Sequence, residues 1–593
     1  MVSSTQARTS AKVGALWPWW ALLFCAVGLY FFGLSSPYAP TNGDEMVYIH
    51  IARLTAASGH WLPLVSDLEN MRNTKPPLLF WQAIASGDWS AQGSLFSLRW
   101  PSVAYTLLTT AALGWMTLRI SGQWRTALLA AIIFLAFFST YRYSRVYLTS
   151  APETFWLALP VWYLLWQQSA RTHCAAPSGA FPSQAGQWSA PAYLLAGLVM
   201  GVGLLYKSFA LIAPAAATLG CALWLSQGSP RFKPLVRTAA GVGLSVVVAL
   251  GVFALWFVLD PDPQAVWQEF VIGENAGKLQ TGGYWQAALN GDYPVWQQAL
   301  AYPENAGLLL PVALGLCWYA LRCAWLGHWR AWVGQPQGTL LIWLLVFSIP
   351  SQRSARYVIA AMPAFAILLA MYWERLARGW FFAVLLIGAI ALTLLARIGW
   401  VMHGLGIGTD LELGITLMCA ALGLTACLGG FLDARWTRNS ALAATLALYA
   451  CFSAMTAPLA GAQAGYSAAI QARMQKLRIA VPNGFNGQYE RFAFLLPGST
   501  LVPYDVEGRN TASLRPDLPA AERLDYLLER FDAVVWIDTE TAQTPLTCLP
   551  RCELLAQRWH VKSRHRAGEV RLSNIWQPQG WLFGKELLII SKP

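Results

Sequence analysis

Long apolar stretches recur along this chain of 593 residues. A helix needs about 20 apolar residues to cross the roughly 30 Å hydrocarbon core of a bilayer. Because unpaired backbone polar groups are costly in lipid, repeated stretches of this length predict transmembrane helices. The predicted fold is therefore a polytopic α-helical membrane protein of about 13 transmembrane helices. We place them near residues 14–34, 100–119, 125–140, 149–168, 190–206, 208–226, 237–259, 306–323, 338–350, 355–373, 380–399, 411–431 and 440–460.

The composition agrees with a membrane protein. Hydrophobic residues make up 56% of the chain and charged residues only 12%, about half of the share in soluble domains. This balance excludes a soluble enzyme, a disordered chain and a typical nucleic-acid binder. The net charge of +12 is instead the excess expected of cytoplasmic loops that fix membrane topology. We expect the lipid bilayer as a partner and no nucleic acid.

The Lys and Arg residues of the short loops predict the orientation. If the N-terminus is cytoplasmic, the predicted inner loops carry fourteen of them, and nearly every inner loop has at least two. An odd number of spans then places the C-terminus outside. The outer segments include a long loop, residues 35–99, directly after the first span.

Several basic residues lie on the predicted outer side, against this pattern. Each one alone is explained by snorkelling or by a local ion pair, because a charge beside a span is costly without a partner. Taken together they favour an anionic ligand at the outer membrane surface. These residues are Lys75, Arg142, Arg145, Lys207, Lys278, Arg353 and Arg356.

The C-terminal part differs in character from the rest. Residues 1–460 form the predicted membrane domain, whereas residues 461–593 have frequent charges and short β-rich runs at 477–481, 533–537 and 587–590. A helical pattern lies near 520–530, so the sequence predicts a soluble α/β domain outside the membrane. Its Cys548 and Cys552 are either a disulfide or two free thiols.

The outer loop contains the most informative motif. Asp44-Glu45-x-x-Tyr48 follows the first span directly, and the loop continues with Ile51-Ala52-Arg53, Ser58-Gly59-His60-Trp61 and Lys75-Pro76-Pro77-Leu78. Two adjacent acids can be solvated loop charges, but this series resembles the bacterial GT-C glycosyltransferases related to 4-amino-4-deoxy-L-arabinose lipid A transferase and the protein O-mannosyltransferases.

Later segments extend the resemblance. They are Tyr206-Lys207, Glu274-Asn275 and the run from Arg353 through Arg356-Tyr357 to Met362-Pro363. The chain departs from the family at two places. Glu153 follows Ser150-Ala151-Pro152 where relatives often have Asp-x-Pro, and Thr74 stands where the lipid A enzymes have an acid.

The resemblance implies a transferase of the bacterial inner membrane that moves a sugar from a polyprenyl-phosphate donor to a lipid, glycan or protein acceptor. The reaction would face the periplasm and invert the anomeric carbon. Fixed cations stabilise a leaving phosphate, and a carboxylate orients or deprotonates the acceptor. The candidate catalytic acids are Asp44 and Glu45, where Glu45 holds a cation. The candidate phosphate ligands are Lys75, Arg142, Arg145, Lys207 and Arg356, and the candidate substrate-binding residues are Tyr48, Arg53, Glu153, Glu274 and Tyr357.

No cofactor is expected to be required. The seven His residues are scattered, so Asp44 with Glu45 is the candidate site if a divalent metal is used. Two other functions stay open at this point. A secondary transporter or lipid flippase would concentrate charges near the bilayer midplane, and a non-catalytic outer scaffold would not need Asp44.

Overall fold

The computed structural model describes most of the chain, and every structural statement below refers to these residues. They are 16–36, 43–68, 71–89, 94–174, 188–227, 232–276, 294, 297–298, 300–327, 332–333, 335–349, 354–460, 465–483, 487–505, 520–538, 551–562, 565 and 568–592.

The first half of the membrane part begins with a short helix and an outer segment. Apolar runs form the helices α1 (Trp17–Phe31), α4 (Leu95–Ser121), α5 (Trp124–Ala136), α6 (Phe138–Tyr143), α7 (Ser150–Cys174), α8 (Ala190–Leu204), α9 (Ile212–Leu225) and α10 (Phe232–Leu259). Between α1 and α4 the outer segment contains α2 (Gly43–Ser58) and α3 (Pro77–Ser86). A 3-10 turn, Phe209–Leu211, precedes α9.

The second half continues the helical array. Helix α11 (Pro263–Val266) leads into a π-helix, Trp267–Ala276. The helices that follow are α12 (Ala301–Ala306), α13 (Leu310–Trp325), α14 (Pro336–Phe347), α15 (Met362–Tyr372), α16 (Arg378–Gly404), α17 (Asp410–Leu432) and α18 (Thr437–Thr456). The 3-10 turns of this half are Gly307–Leu309, Ala355–Ala361, Trp373–Arg375 and Ala457–Ala460.

A helix overlaps each of the predicted membrane segments. In the described part of the chain, six helices are long and apolar enough to cross a membrane: Phe232–Leu259, Ala301–Trp325, Ala355–Arg375, Arg378–Gly404, Asp410–Leu432 and Thr437–Leu459. Five others are apolar but shorter than that. The polytopic helical fold is therefore confirmed, whereas the count of 13 spans stays a prediction.

The C-terminal part is a small sheet with helices, as its sequence predicts. Its strands are β1 (Arg478–Asn483), β2 (Thr500–Asp505), β3 (Ala533–Asp538), β4 (Cys552–Val561) and β5 (Phe583–Ser591), and its helices are α19 (Ala468–Met474), α20 (Arg491–Leu495), α21 (Ala520–Leu528) and α22 (Pro578–Trp581). A 3-10 turn, Gln488–Glu490, precedes α20.

The sheet has the strand order β2-β1-β3-β5-β4. Strand β1 pairs in parallel with β2 and β3, and β5 pairs antiparallel with β3 and β4. In register, Val534 faces Ile589 across β3 and β5. The sequence predicts β1, β3 and β5 but not β2 and β4. Cys552 is disulfide-bonded, and Cys548 lies outside the described residues.

This sheet domain contacts the membrane part at α16 and at α2. Nε of Arg397 on α16 donates to the carbonyl of Trp576 at 3.2 Å. Trp559 on β4 donates its indole N–H to the carbonyl of Leu405 after α16, at 3.3 Å. The turn before α20 contacts helix α2. Helix α2 therefore lies between the membrane helices and the sheet domain.

Candidate active site

Asp44 and Glu45 lie in the first turn of α2, and their side chains point to different places. Consecutive helix residues project about 100° apart, so only one of two adjacent acids can face a given neighbour. Asp44 is part-exposed, and its Oδ2 lies 2.9 Å from Nη1 of Arg356 on the turn Ala355–Ala361. Glu45 is fully buried.

Glu45 holds a cation that was not among the predicted ones. The guanidinium of Arg99 on α4 donates from Nε and Nη2 to the two Glu45 oxygens at 2.7 and 2.9 Å. Nη1 of Arg99 donates to the carbonyls of Leu34 and Ser36, both at 2.7 Å, and the backbone N–H of Tyr147 donates to Glu45 at 3.0 Å. This buried pair ties α2 to α4 and to the end of α1. It corrects the assignment of Glu45 as a catalytic acid, because its carboxylate is enclosed by protein donors.

Lys75 stands beside the aromatic ring of Tyr48. Its Nζ donates to the carbonyl of Thr74 at 2.7 Å, lies 3.5 Å from Oε1 of Glu274, and is 5.9 Å from the centre of the Tyr48 ring. Thr74, the residue that departs from the family pattern, donates its hydroxyl to the same Glu274 oxygen at 3.0 Å. The π-helix thus supplies the carboxylate that faces Lys75. Burial, followed by the charge of Asp44, raises the pKa of Tyr48 well above its ordinary value, so its phenol stays neutral.

Lys207 pairs with Glu153 at the start of α7. The distance from its Nζ to Oε2 of Glu153 is 2.8 Å, and Nζ lies 5.3 Å from the centre of the Tyr357 ring. Glu153 is nearly inaccessible to solvent, whereas Lys207 is about one-fifth exposed, so the ammonium is the accessible member of the pair.

Arg142 and Arg356 share an aromatic neighbour. The guanidinium carbons of Arg142 and Arg356 lie 5.1 and 5.8 Å from the centre of the Tyr143 ring. Arg142 also lies 5.7 Å from the ring of Phe138. Such contacts hold a guanidinium in place without a countercharge. The sequence did not single out Tyr143, and only its position between two predicted cations points to it.

These side chains form one group, which we call the outer charge cluster: Asp44, Lys75, Glu153, Lys207, Glu274 and Arg356. The carboxylates of Glu153, Glu274 and Asp44 all act electrostatically on Tyr357. Asp44, Arg356 and Glu274 act in the same way on Tyr48. Residues separated by more than 300 positions are therefore neighbours around these two phenols.

Two predicted site residues lie elsewhere. Arg145 is 1% exposed and donates to the carbonyls of Leu29 and Phe32 at the end of α1, at 3.2 and 3.1 Å. A guanidinium enclosed in this way cannot reach a phosphate at the cluster, so Arg145 is removed from the phosphate ligands. Arg53 binds Glu490 of the sheet domain instead of facing the cluster. Lys278 and Arg353 lie outside the described residues.

The described residues include no group of three or more His, Cys, Asp or Glu side chains placed to hold a metal ion. Glu45 is committed to Arg99, so the suggested Asp44–Glu45 pair does not converge on one point.

Comparisons with known proteins identify similar sequences. Residues 16–260 match the family described as dolichyl-phosphate-mannose-protein mannosyltransferase. The undecaprenyl phosphate-alpha-4-amino-4-deoxy-L-arabinose arabinosyl transferase 1 of Sodalis glossinidius is 30% identical over 345 residues, which are 56% of this chain and 54% of that protein. The corresponding transferase of Erwinia tasmaniensis is 26% identical over 349 residues, covering 56% and 55%. The resemblance to the GT-C family is confirmed. The chain spans about half the length of the curated relatives it matches.

Solved structures share the fold over nearly the whole chain. ArnT from Cupriavidus metallidurans bound to undecaprenyl phosphate superposes with a TM-score of 0.57 at 16% identity, covering 96% of this chain and 97% of that one. Its apo form gives a TM-score of 0.55 at 17% identity, with coverages of 97% and 98%. The sheet domain after α18 is therefore part of a fold that the two structures share over nearly their full length.

Proposed function

We propose that this chain is an integral membrane glycosyltransferase that moves a sugar from a polyprenyl-phosphate donor to an envelope acceptor. One observation carries the proposal: Asp44, an accessible acid, lies in the same cluster as Lys75, Lys207 and Arg356. A carboxylate and several cations at one site match the two demands of the reaction, which are an acceptor proton to remove and a phosphate charge to hold. The named activities of the curated relatives agree with this chemistry.

The donor phosphate would bind between the accessible cations. Lys75, Lys207, Arg356 and Arg142 are the proposed ligands, because each is at least part-exposed and the first three lie at the cluster. Arg142 makes no ion pair with a described residue and contacts two aromatic rings. It can therefore bind an anion without breaking an existing ion pair. Lys75 lies 3.5 Å from Glu274, a separation that a phosphate can compete with.

Asp44 would receive the proton of the acceptor. When the phosphate attracts Arg356, the ion pair with Asp44 weakens and the carboxylate becomes available as a base. The acceptor oxygen forms a bond to the anomeric carbon, the bond from that carbon to the phosphate oxygen breaks, and polyprenyl phosphate leaves. A single displacement of this kind inverts the anomeric configuration. The neutral Tyr48 and Tyr357 would line the sugar position.

We further propose thirteen spans with a cytoplasmic N-terminus in a bacterial inner membrane, so that the cluster and the sheet domain face the periplasm. The wide distribution of Lys and Arg in the predicted inner loops supports this orientation. The acceptor would be a lipid, glycan or protein of the envelope. A transporter or flippase is not favoured, because the family match and the curated relatives are all named for sugar transfer.

Mass spectrometry of envelope glycolipids and glycoproteins tests this function. We expect a sugar mass to disappear from one acceptor when the gene is deleted and to return with the wild-type chain but not with Asp44→Asn. An Asp88→Asn variant is the matched control, because Asp88 is an exposed acid of the same outer segment. Full restoration by Asp44→Asn would overturn the catalytic assignment.

A further inference from the structure

The outer helix α2 presents opposite faces to the charge cluster and to the sheet domain. At about 100° per residue, Arg53 lies about 180° around the helix from Asp44. His50 lies closer to the Arg53 face than to the Asp44 face. Asp44 reaches Arg356 of the membrane part, whereas His50 and Arg53 both contact Glu490 of the sheet domain. The position of Asp44 is therefore set from both sides of the helix.

Glu490 makes three polar contacts with α2. Its Oε1 accepts from Nε of Arg53 at 2.5 Å, and its Oε2 accepts from Nη2 of Arg53 at 3.0 Å. Oε2 also lies 2.8 Å from Nδ1 of His50. Glu490 has no exposed surface, and His50 is 1% exposed. A two-point guanidinium–carboxylate pair fixes direction as well as distance, so it restricts rotation of the helix.

A second acid completes the contact. Nε2 of His50 lies 2.6 Å from Oδ1 of Asp67, and the hydroxyl of Tyr489 donates to the same oxygen at 3.3 Å. The ring of Tyr489 stands edge-on to His50, with centroids 5.6 Å apart. We call these five residues, His50, Arg53, Asp67, Tyr489 and Glu490, the docking network.

The backbone approaches α2 closely at the same place. Gly487, just before the turn Gln488–Glu490, has φ +66°, and a Cβ added there would lie 3.0 Å from Cγ2 of Val47 and 3.2 Å from its Cα. Any larger residue would push the sheet domain away from the helix or strain the turn. The domain is thus seated on α2 by shape as well as by charge.

We propose that Glu490 is a positioning residue for the transfer reaction, holding α2 so that Asp44 faces the donor site. This inference rests on the proposed function. It gives the sheet domain a role in catalysis although the domain contributes no residue to the cluster. Arg53 lies nine residues after Asp44, which is about 14 Å along the helix axis at 1.5 Å per residue. Glu490 and Arg53 therefore act on Asp44 through the helix.

The test measures turnover and helix order in the full chain, purified in detergent with polyprenyl-phosphate sugars. Glu490→Gln removes the charge at the buried side, and Arg53→Gln removes its more exposed partner in case the first variant does not fold. We expect kcat to fall by about tenfold to a hundredfold, as for a displaced catalytic group, with little change in donor KM. Hydrogen exchange of residues 43–58 should become faster in both variants.

Trp559→Phe is the matched control, because it removes a hydrogen bond between the sheet domain and the end of α16 without touching α2. It should keep the wild-type kcat. The conservative Arg53→Lys keeps the charge but not the two-point contact. Its kcat should fall less than that of Arg53→Gln.

The two proposals fail in different ways. If the wild-type chain transfers no sugar from any donor, the proposed function fails and the positioning role fails with it. If the wild type is active and Asp44→Asn is not, but folded Glu490→Gln and Arg53→Gln keep the wild-type kcat, only the positioning role is overturned. An equal loss in Trp559→Phe would also overturn it, since general loosening of the domain would then explain the effect.

Discussion

At the scale of single residues, the adjacent acids Asp44 and Glu45 show how neighbours in sequence take different roles. Glu45 is enclosed by Arg99 and a backbone N–H, whereas Asp44 is about one-third exposed and faces Arg356. Removing one partner of a buried ion pair destabilises the fold, because the remaining charge stays in a medium of low polarity. Glu45 therefore contributes to stability, whereas Asp44 is the proposed base.

We expect Glu45→Gln to lower the free energy of unfolding by about 3–5 kcal/mol, because Arg99 would remain buried without a countercharge. Thermal unfolding in detergent measures this loss. Glu374→Gln, which breaks the exposed pairs of Glu374 with Arg125 and Arg438, should cost less, about 1 kcal/mol at most. Equal losses in the two variants would contradict the structural role of Glu45.

At the scale of elements, the π-helix Trp267–Ala276 holds the loop that carries Lys75. Glu269 accepts from the backbone N–H of Asn73 at 2.9 Å, and Glu274 accepts from Thr74 at 3.0 Å. A π-helix is a rare element that is frequent at functional sites. Here it brings two carboxylates to consecutive loop residues, and one of them also faces the Lys75 ammonium.

Glu274 should compete with the donor phosphate for Lys75. We expect Glu274→Gln to bind polyprenyl phosphate up to about fivefold more tightly, since a part-exposed ion pair is worth up to about 1 kcal/mol. Lys75→Ala should bind it more weakly, and Lys233→Ala, an exposed lysine of α10, should not change binding. Equilibrium binding of labelled polyprenyl phosphate measures all three. Weaker binding by Glu274→Gln would show that Glu274 assists the site.

The contact between α2 and the sheet domain should depend on pH. Burial lowers the pKa of His50, but hydrogen bonds and charges from Asp67 and Glu490 outweigh this effect and leave the pKa raised. The hydrogen bond from His50 lowers the pKa of Asp67. Burial of Glu490 is outweighed by His50 and Arg53, so its pKa is lowered as well.

These directions define the pH window. A raised histidine pKa gives stability that is complete below the ordinary value of about 6.5 and is lost as pH rises through the folded-state value. The lowered carboxylate pKa values give stability that is present above about pH 4 and is lost on acidification. The protection factors of residues 43–58, which are exchange rates corrected for the intrinsic pH dependence of amide exchange, should thus be highest between these limits. His50→Asn should abolish the alkaline loss, and an unchanged alkaline slope in that variant would refute this account.

At the scale of the whole molecule, the sequence predicts the parts better than their orientation. Apolar length places a helix on every predicted membrane segment, and short β-rich runs locate β1, β3 and β5. The motif around Asp44 points to the proposed site, because the acids and Lys75 lie in one predicted outer loop. What periodicity cannot supply is the rotation of α2, which decides that Asp44 faces the cluster and Glu45 the protein interior.

Long-range partners account for the other differences. Arg145 is predicted at the site from its position near the outer surface, and Arg53 from the Ile51-Ala52-Arg53 motif. Their partners, the carbonyls at the end of α1 and Glu490, are far away in the chain. Arg99 and Tyr143 belong to no motif, and their contacts follow only from the packing of α4 and α6. A charge within an apolar helix, such as Arg99 in α4, is the one signal that could have suggested a buried pair.

The release of polyprenyl phosphate from a polyprenyl-phosphate sugar, followed by mass spectrometry with the purified chain and an envelope acceptor extract, tests the central claim most directly. We expect release by the wild type and by Asp88→Asn, together with a new glycosylated acceptor, and a rate lower by about 100-fold or more in Asp44→Asn, the scale of a lost general base. Equal release by wild type and Asp44→Asn would contradict the account.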